Sequence, residues 1–298
     1  MRMIELENSV RIEDVYDFNI KHILECGQCF RWSAAPDGSY LLIAMDRIIR
    51  IRSSEAQHMV WIENTTPDEV QQIWAPYFDL LTDYGEIKKT LCQDAVLKKA
   101  IPFGSGIRIL RQDLWETILS FIISANNNIP RIKQIIHALC VAYGRPIPFE
   151  GRLYYAFPTK DRLTACVRSD YDCCRAGFRG RYLYETVRIL GEGAVDLERL
   201  GQLETAEAKR ELMKLMGVGS KVADCILLFA LHRTEVYPVD VWVKKVTEDF
   251  YLKRETSLAG ITQFAKDKFG SLAGYAQQYL FYYGRETKFD QKVNEGQE

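Results

Sequence analysis

The sequence predicts an α+β protein: an N-terminal antiparallel β-sheet domain over residues 1–104, then an all-α domain over residues 105–298. Three observations carry this. The first third holds short apolar or aromatic runs separated by turn signals, the mark of strands. From Thr66 onward the chain reads as helix after helix, bounded by caps, glycines and prolines, with no convincing strand. Between the two patterns Ile101-Pro102-Phe103-Gly104 makes a Pro/Gly break, where the boundary is placed.

In order along the chain, CFRWSA (29–34), SYLLIAM (39–45) and RIIRIR (47–52) read as strands, divided by the Pro36-Asp37-Gly38 turn and the Asp46-Arg47 break. HMVWIE (58–63) adds another. Thr66-Pro67-Asp68-Glu69 combines an N-cap, a proline at the first helical position and acids in the first turn, so a helix through Ile73 and Tyr77 is expected. No internal repeat is visible, and a polar tail follows Asp290.

The composition, 47% hydrophobic and 27% charged in 298 residues, is that of a folded globule with an ample core. Residues 1–18 carry no apolar run behind their basic residues, and no stretch reaches the roughly 18 apolar residues that span a bilayer. An intracellular protein is expected, cytoplasmic and nucleoid-associated if bacterial, with no membrane partner. Of eight cysteines only Cys26 and Cys29 form a C-x-x-C pair, and none of the four histidines is spaced to complete a zinc site. Reduced structural thiols are the expectation. The net charge of −1 argues mildly against nucleic acid, although Arg175, Arg179, Arg181 and Arg188 stand against Glu185 alone over residues 175–188. Such a run is either a solvated helix face or a local basic stripe.

The densest signal lies in residues 211–246. A helix should end near Met216, Gly217-Val218-Gly219 should turn tightly, and Ser220 should cap a new helix from Lys221. Backbone N–H groups at such a turn and helix start attract phosphate, so a chain of little net charge can still hold a DNA backbone. A P-loop is excluded because Ser220 precedes Lys221 rather than following it. Alone, this hairpin fits a packing unit equally well. Asp240, behind Pro238 and before the helix VWVKKV, is a natural N-cap, and a purely structural cap is the competing reading.

A two-glycine hairpin with lysine at the start of its second helix, and an aspartate some twenty residues later behind a proline, resembles the helix-hairpin-helix, Gly-Pro-Asp DNA glycosylases. Lysine is what a Schiff-base mechanism requires. The helix dipole and partial burial both disfavour its cation, which makes a neutral amine available as nucleophile. The resemblance implies that members with this lysine cleave the glycosidic bond and then nick the abasic strand.

Further stretches resemble the 8-oxoguanine DNA glycosylases of the Ogg type: Cys26-Gly27-Gln28-Cys29-Phe30-Arg31-Trp32, Asn126-Asn127-Asn128-Ile129-Pro130-Arg131, Gly177-Phe178-Arg179-Gly180-Arg181-Tyr182, and the helix around Gln277 and Phe281. They run in family order over nearly the whole chain. The resemblance implies a TATA-box-binding-protein-like sheet domain followed by a helix-hairpin-helix glycosylase core. It also implies a bifunctional enzyme acting as a monomer on double-stranded DNA that contains oxidised guanine, opposite cytosine.

In the roles so implied, Lys221 is the nucleophile and Asp240 the essential carboxylate. Cys225, one turn beyond Lys221, packs on one face of the flipped base, Phe281 stacks on the other, and Gln277 reads its edge. The Gly27 carbonyl accepts a hydrogen bond from N7, which carries a proton only in the oxidised base, so one acceptor discriminates. Asn126 fills the gap left by the extruded nucleotide, Arg131 reads the widowed cytosine, and Phe178 wedges into the stack beside Arg179. Gly217 and Gly219 let the hairpin approach phosphate.

Departures are plain. Phe178 stands where many members have tyrosine, and Trp242 where animal enzymes have histidine. No cysteine follows Cys225, so the four-cysteine iron–sulfur cluster of the endonuclease III branch is not expected, and no cofactor is. Carbonyls of Met213, Leu215 and Val218 are where the resemblance implies a cation between hairpin and phosphate. Rival readings are a glycosylase for other damaged bases and a non-catalytic helix-hairpin-helix DNA-binding protein.

Overall fold

A computed structural model describes residues 1–295, with side chains through Thr287. Six strands form one antiparallel sheet: β1 (Arg2–Leu6), β2 (Ser9–Glu13), β3 (Trp32–Ala34), β4 (Tyr40–Ala44), β5 (Arg47–Ser54) and β6 (Met59–Glu63), in the order β1-β2-β6-β5-β4-β3. Alternation sets the register. Val10 and Ile12 pair with Ile62 and Val60, and Ile51 lies opposite both Ile62 and Tyr40, so one face becomes continuous apolar surface. The Asp46-Arg47 break falls one residue earlier than expected: Met45 and Asp46 both take positive φ, as a two-residue hairpin turn requires, and β5 starts at Arg47. β1 and β2 were not expected; each is a five-residue strand.

The helical run over 67–77 begins as the sequence indicates, with the Thr66 hydroxyl accepting the Glu69 N–H at 3.2 Å. It closes the buried sheet face with Trp74 and Tyr77, followed by Phe78, to make a first core. The second core gathers the helices from Tyr84 onward, together with Cys26 and Phe30. The cores therefore divide nearer residue 80 than residue 104. Helices Tyr84–Leu91 and Ala95–Ala100, on the sheet side of a boundary at 104, pack with the helical core.

At the centre of that core lies Leu114–Ser124, buried at every residue from Thr117 to Ile123. Its Phe121 stacks on Phe229 at 5.5 Å, which seats it against the helix Ser220–Phe229. One expectation fails here: the region is not free of strands. Pro146–Phe149 and Arg152–Tyr155 form a hairpin, β7 and β8, across Glu150-Gly151, both at positive φ. Pro146 and Pro148 obscured it, because proline demotes a strand reading. The last helix runs Ala273–Glu295, so the polar stretch after Asp290 continues it, and residues 296–298 lie outside those described. Among the described residues no helix is long and apolar enough to cross a membrane.

Candidate active site and nucleic-acid interface

The first hairpin helix, Thr205–Leu212, ends earlier than the expected Met216, because the chain passes into short turns: Lys214 N–H donates to Glu211 and Leu215 N–H to Leu212. Gly217 then takes φ +84°. The second helix begins at Ser220 rather than Lys221, with Gly219 at the cap position and no side-chain cap. Ser220 is therefore not the cap, and the first N–H groups of this helix are left without a side-chain acceptor. An added β-carbon on Gly219 meets nothing within 4 Å, so the turn is open where a phosphate would approach. Of the carbonyls considered for a cation, that of Leu215 accepts the Val218 N–H at 3.1 Å, which uses one of its two lone pairs.

One helix turn brings Lys221 and Cys225 to the same face, and both line a cavity shared with Asp240, Gly27, Gln277 and Phe281. All six residues expected at the chemistry and the base thus meet in one place. The cavity measures about 40 Å³, room for roughly three waters, so an extruded base requires its walls to shift. A larger cavity of about 220 Å³ beside Trp32, Lys133 and His137 has no carboxylate in its wall.

Each wall has a local cause. Lys221 Nζ lies 5.5 Å from the Phe121 ring centroid, against apolar surface. Asp240 caps the helix Val241–Thr247, its Oδ1 accepting the Val243 N–H at 2.7 Å, which leaves the second oxygen for other work. Burial pushes the Cys225 thiol up to about 11, with Lys221 opposing, and pushes Cys26 up to about 12, so both stay neutral near pH 7. Gly27 is held at φ +83° by its neighbour Gln28, whose amide donates to the Ile23 and Arg108 carbonyls and accepts the Leu110 N–H. The Phe281 ring stands 3.5 Å from where a β-carbon on Gly27 would lie.

The remaining expected residues form a second group outside the cavity. Asn126 is exposed at φ +49°, a conformation asparagine tolerates. The Arg179 guanidinium is buried and donates to the carbonyls of Ala125 and Asn126 at 2.5–2.8 Å, which fixes that loop. Burial, and then the Arg131 charge beside it, lower the Arg179 pKa, so the two arginines are neighbours, with Arg131 exposed. Phe178 is 54% exposed, its ring 4.4 Å from the Arg179 guanidinium. Asn128 caps the helix Ile129–Tyr143 as expected. The basic run divides. Arg188 pairs with Glu185 and Glu192 on a solvated face, Arg179 is inward, and Arg175 and Arg181 are exposed. Trp242 is 46% exposed, beside the Asp240 cap.

Sequence reasoning missed Phe121, Gln28 and Gln278. Phe121 carried no signal, Gln28 stood within the Cys26–Trp32 stretch without a role of its own, and Gln278 adjoins a selected residue. Cys26 and Cys29 belong to different cores, and among the described residues no cluster of three or more His, Cys, Asp or Glu is placed to hold a metal.

A helical core whose hairpin turn opens beside a cavity holding a lysine and a helix-capping aspartate, behind an antiparallel sheet domain, is the architecture of a helix-hairpin-helix DNA glycosylase. A family model described as the 8-oxoguanine DNA glycosylase N-terminal domain matches residues 11–118. The 8-oxoguanine glycosylase/lyase of Clostridium acetobutylicum, solved with double-stranded DNA containing cytosine opposite 8-oxoG, is 45% identical with a TM-score of 0.94, covering 97% of this chain and 99% of its own. A probable N-glycosylase/DNA lyase of Methanothermobacter thermautotrophicus is 29% identical over 254 residues, 78% of this chain and 80% of the relative. The N-glycosylase/DNA lyase of Saccharomyces cerevisiae is 34% identical over 211 residues, 59% of this chain and 56% of the relative. The chain belongs to the 8-oxoguanine DNA glycosylase/lyase family.

Proposed function

We propose that this protein excises 8-oxoguanine opposite cytosine from duplex DNA and then nicks the abasic strand. The observation that carries the reading is the meeting of Lys221 and Asp240 in one cavity with Gly27, Cys225, Gln277 and Phe281. The Lys221 amine attacks C1′ of the extruded nucleotide, and the glycosidic electron pair leaves with the base. Positive charge developing on the sugar is stabilised by the Asp240 carboxylate. The amine loses its proton, the sugar ring opens to a Schiff base, and loss of a C2′ proton expels the 3′ phosphate. The base lies between Cys225 and Phe281, Gln277 reads its edge, and the Gly27 carbonyl accepts the N7 proton. Asn126, Arg131 and Phe178 hold the gap, with Arg179 behind them, and the turn through Gly217 and Gly219 takes the phosphate.

No cofactor enters these steps. Carbonyls of Met213, Leu215 and Val218 are the groups for a cation between turn and phosphate. The enzyme is read as a monomer acting inside the cell. Borohydride trapping on a duplex with one 8-oxoguanine tests substrate and nucleophile together. The wild-type protein should become covalently joined to DNA, and Lys221→Gln should bind without joining. An adduct in that variant, on another lysine, refutes the assignment.

A further inference from the structure

The cavity of about 220 Å³ beside Trp32 is lined by eleven residues, and none of them lines the cavity that holds Lys221. Three elements enclose it. The helix Ile129–Tyr143 contributes Lys133, His137 and Cys140, spaced as i, i+4 and i+7 on one face. Strand β4 contributes Leu41 and Ile43, which alternate with the Tyr40, Leu42 and Ala44 side chains of the sheet core and so lie on the opposite face. Strand β8 contributes Tyr154 and Tyr155. A volume of that size holds roughly fifteen waters, room for a ligand of one or two rings.

The Lys133 ammonium lacks a counter-charge. Its Nζ sits 3.4 Å from the centroid of the Trp32 ring, and that ring is pinned by its own N–H, which donates to the Cys29 carbonyl at 3.2 Å. Burial lowers the Lys133 pKa, with Cys29 and Glu25 opposing. Among the described residues no carboxylate lines the cavity or lies within 4 Å of Lys133. Cys140 does not supply the charge, since burial pushes its thiol up to about 12. Arg31, the guanidinium in the same wall, is occupied: it pairs with Glu116 at 3.0 Å and donates to the Tyr155 carbonyl. A partly buried lysine is ordinarily paired, and here an aromatic face is its only partner.

The missing partner can be specified by its chemistry. One unpaired ammonium suits a monoanion, whereas a phosphate dianion is better served by free arginine forks. Four of the eleven lining residues are aromatic, Phe30, Trp32, Tyr154 and Tyr155, which suits a flat ring. We propose that this cavity is a binding site for a small aromatic carboxylate, its carboxylate paired with Lys133 and its ring against the aromatic wall.

The test is calorimetric titration of the full chain with 2-naphthoate, with the neutral 2-naphthamide, and with decahydro-2-naphthoate, which keeps the charge but not the flat ring. Wild type should bind the naphthoate at one site and the amide about tenfold or more weakly, because a hydrogen bond to a charged group is lost. The saturated acid should bind about two- to tenfold more weakly than the naphthoate. In Lys133→Met, which keeps the stem without the charge, naphthoate and amide should bind alike within about twofold. Lys221→Gln, altered in the other cavity, should bind the naphthoate as wild type does. No binding by wild type, equal binding of acid and amide, or an acid preference retained in folded Lys133→Met overturns the proposal. Equal binding of the saturated acid overturns its aromatic part, and loss of binding in Lys221→Gln puts the acid in the wrong cavity and overturns it entirely. Should Lys133→Met fail to fold, Lys133→Gln replaces it, and the comparison of acid with amide in wild type is decisive without a variant.

Discussion

A β-carbon on Gly217 would fall 2.7 Å from Cδ2 of Tyr182, and the Tyr182 ring lies 5.5 Å, edge-on, from that of Phe178. The hairpin turn is thus seated against the helix Arg179–Gly191 and the exposed Phe178 that precedes it. Two glycines of one motif have different reasons to be glycine. At φ +84° Gly217→Ala incurs about 1–2 kcal/mol of backbone strain before the ring yields, so melting temperature should fall. Gly219, at φ −87° and facing open space, tolerates alanine within about 0.5 kcal/mol. Its methyl group instead stands where phosphate approaches, so Gly219→Ala should weaken duplex binding at unchanged melting temperature. Equal effects of the two substitutions on both measurements would remove the distinction.

Asp240 is both cap and charge, and the two can be separated. Asparagine caps as well as aspartate, so Asp240→Asn should keep the 2.7 Å bond from Val243 and leave thermal stability nearly unchanged. Excision under single-turnover conditions should slow on the order of 10²–10³-fold, since a fixed charge facing the developing cation is gone. If stability falls while excision holds, the carboxylate is only a cap.

Arg131 and Arg179 part company on burial. Exposed Arg131 is available to a cytosine edge, and guanidinium forks suit its carbonyl and ring nitrogen. Arg131→Ala should flatten the ratio of excision opposite cytosine to that opposite adenine or thymine, with melting within about 0.5 kcal/mol of wild type. Arg179→Ala strands the Ala125 and Asn126 carbonyls it now binds, so it should lower the melting temperature as well. An unchanged opposite-base ratio for Arg131→Ala would assign that residue to phosphate.

Particular residues account for what was legible in the sequence. Thr66 and Asn128 cap helices because their side chains do so locally, and local chemistry is written in local sequence. The β4–β6 runs declared themselves through apolar residues. β7 and β8 did not, since alternating prolines conceal a hairpin, nor did the early end of the helix at Leu212, which is set by turns rather than by a terminating residue. In the site, four-residue spacing put Lys221 with Cys225 and Gln277 with Phe281, and only the resemblance joined the pairs. What physically joins them is packing across long sequence separations, and Gln28 reaching the Arg108 carbonyl and the Leu110 N–H is an example no spacing rule reveals.

His22 gives the fold an acid-sensitive joint between the sheet domain and the helical core. Its Nδ1 accepts the Gly106 N–H at 3.3 Å, and its ring meets Tyr282 edge-on at 5.5 Å. Burial lowers its pKa, with Glu55 opposing most and Lys21 assisting. A histidine held neutral in the fold stabilises it above the ordinary value of about 6.5. That contribution is lost as pH falls through the lower folded value, because the unfolded chain takes its proton first. Melting temperature should therefore decline from about pH 7 to pH 5, and less steeply in His22→Gln, whose amide oxygen still accepts the Gly106 N–H. Parallel curves for the two proteins would show that His22 contributes nothing to the slope.

Phe281 tests the cavity where its geometry is most specific. The ring stands half-buried against Gly27, on the last helix, and lines the same cavity as Cys225 of the hairpin helix, so a base received there is expected to lie against it. Stacking of a base on an aromatic side chain is worth about 1–3 kcal/mol, equivalent to about five- to 150-fold in rate if it is fully expressed in the transition state. Phe281→Ala should therefore slow excision of 8-oxoguanine within that range. Nicking of a pre-formed abasic site should change far less, because that substrate has no base to stack and still reaches Lys221. Phe281→Leu restores bulk without the π-face and should recover stability more than excision. If excision and nicking fall together in Phe281→Ala, and leucine restores both, the ring is packing for the last helix and the sandwich of the base between Cys225 and Phe281 must be given up.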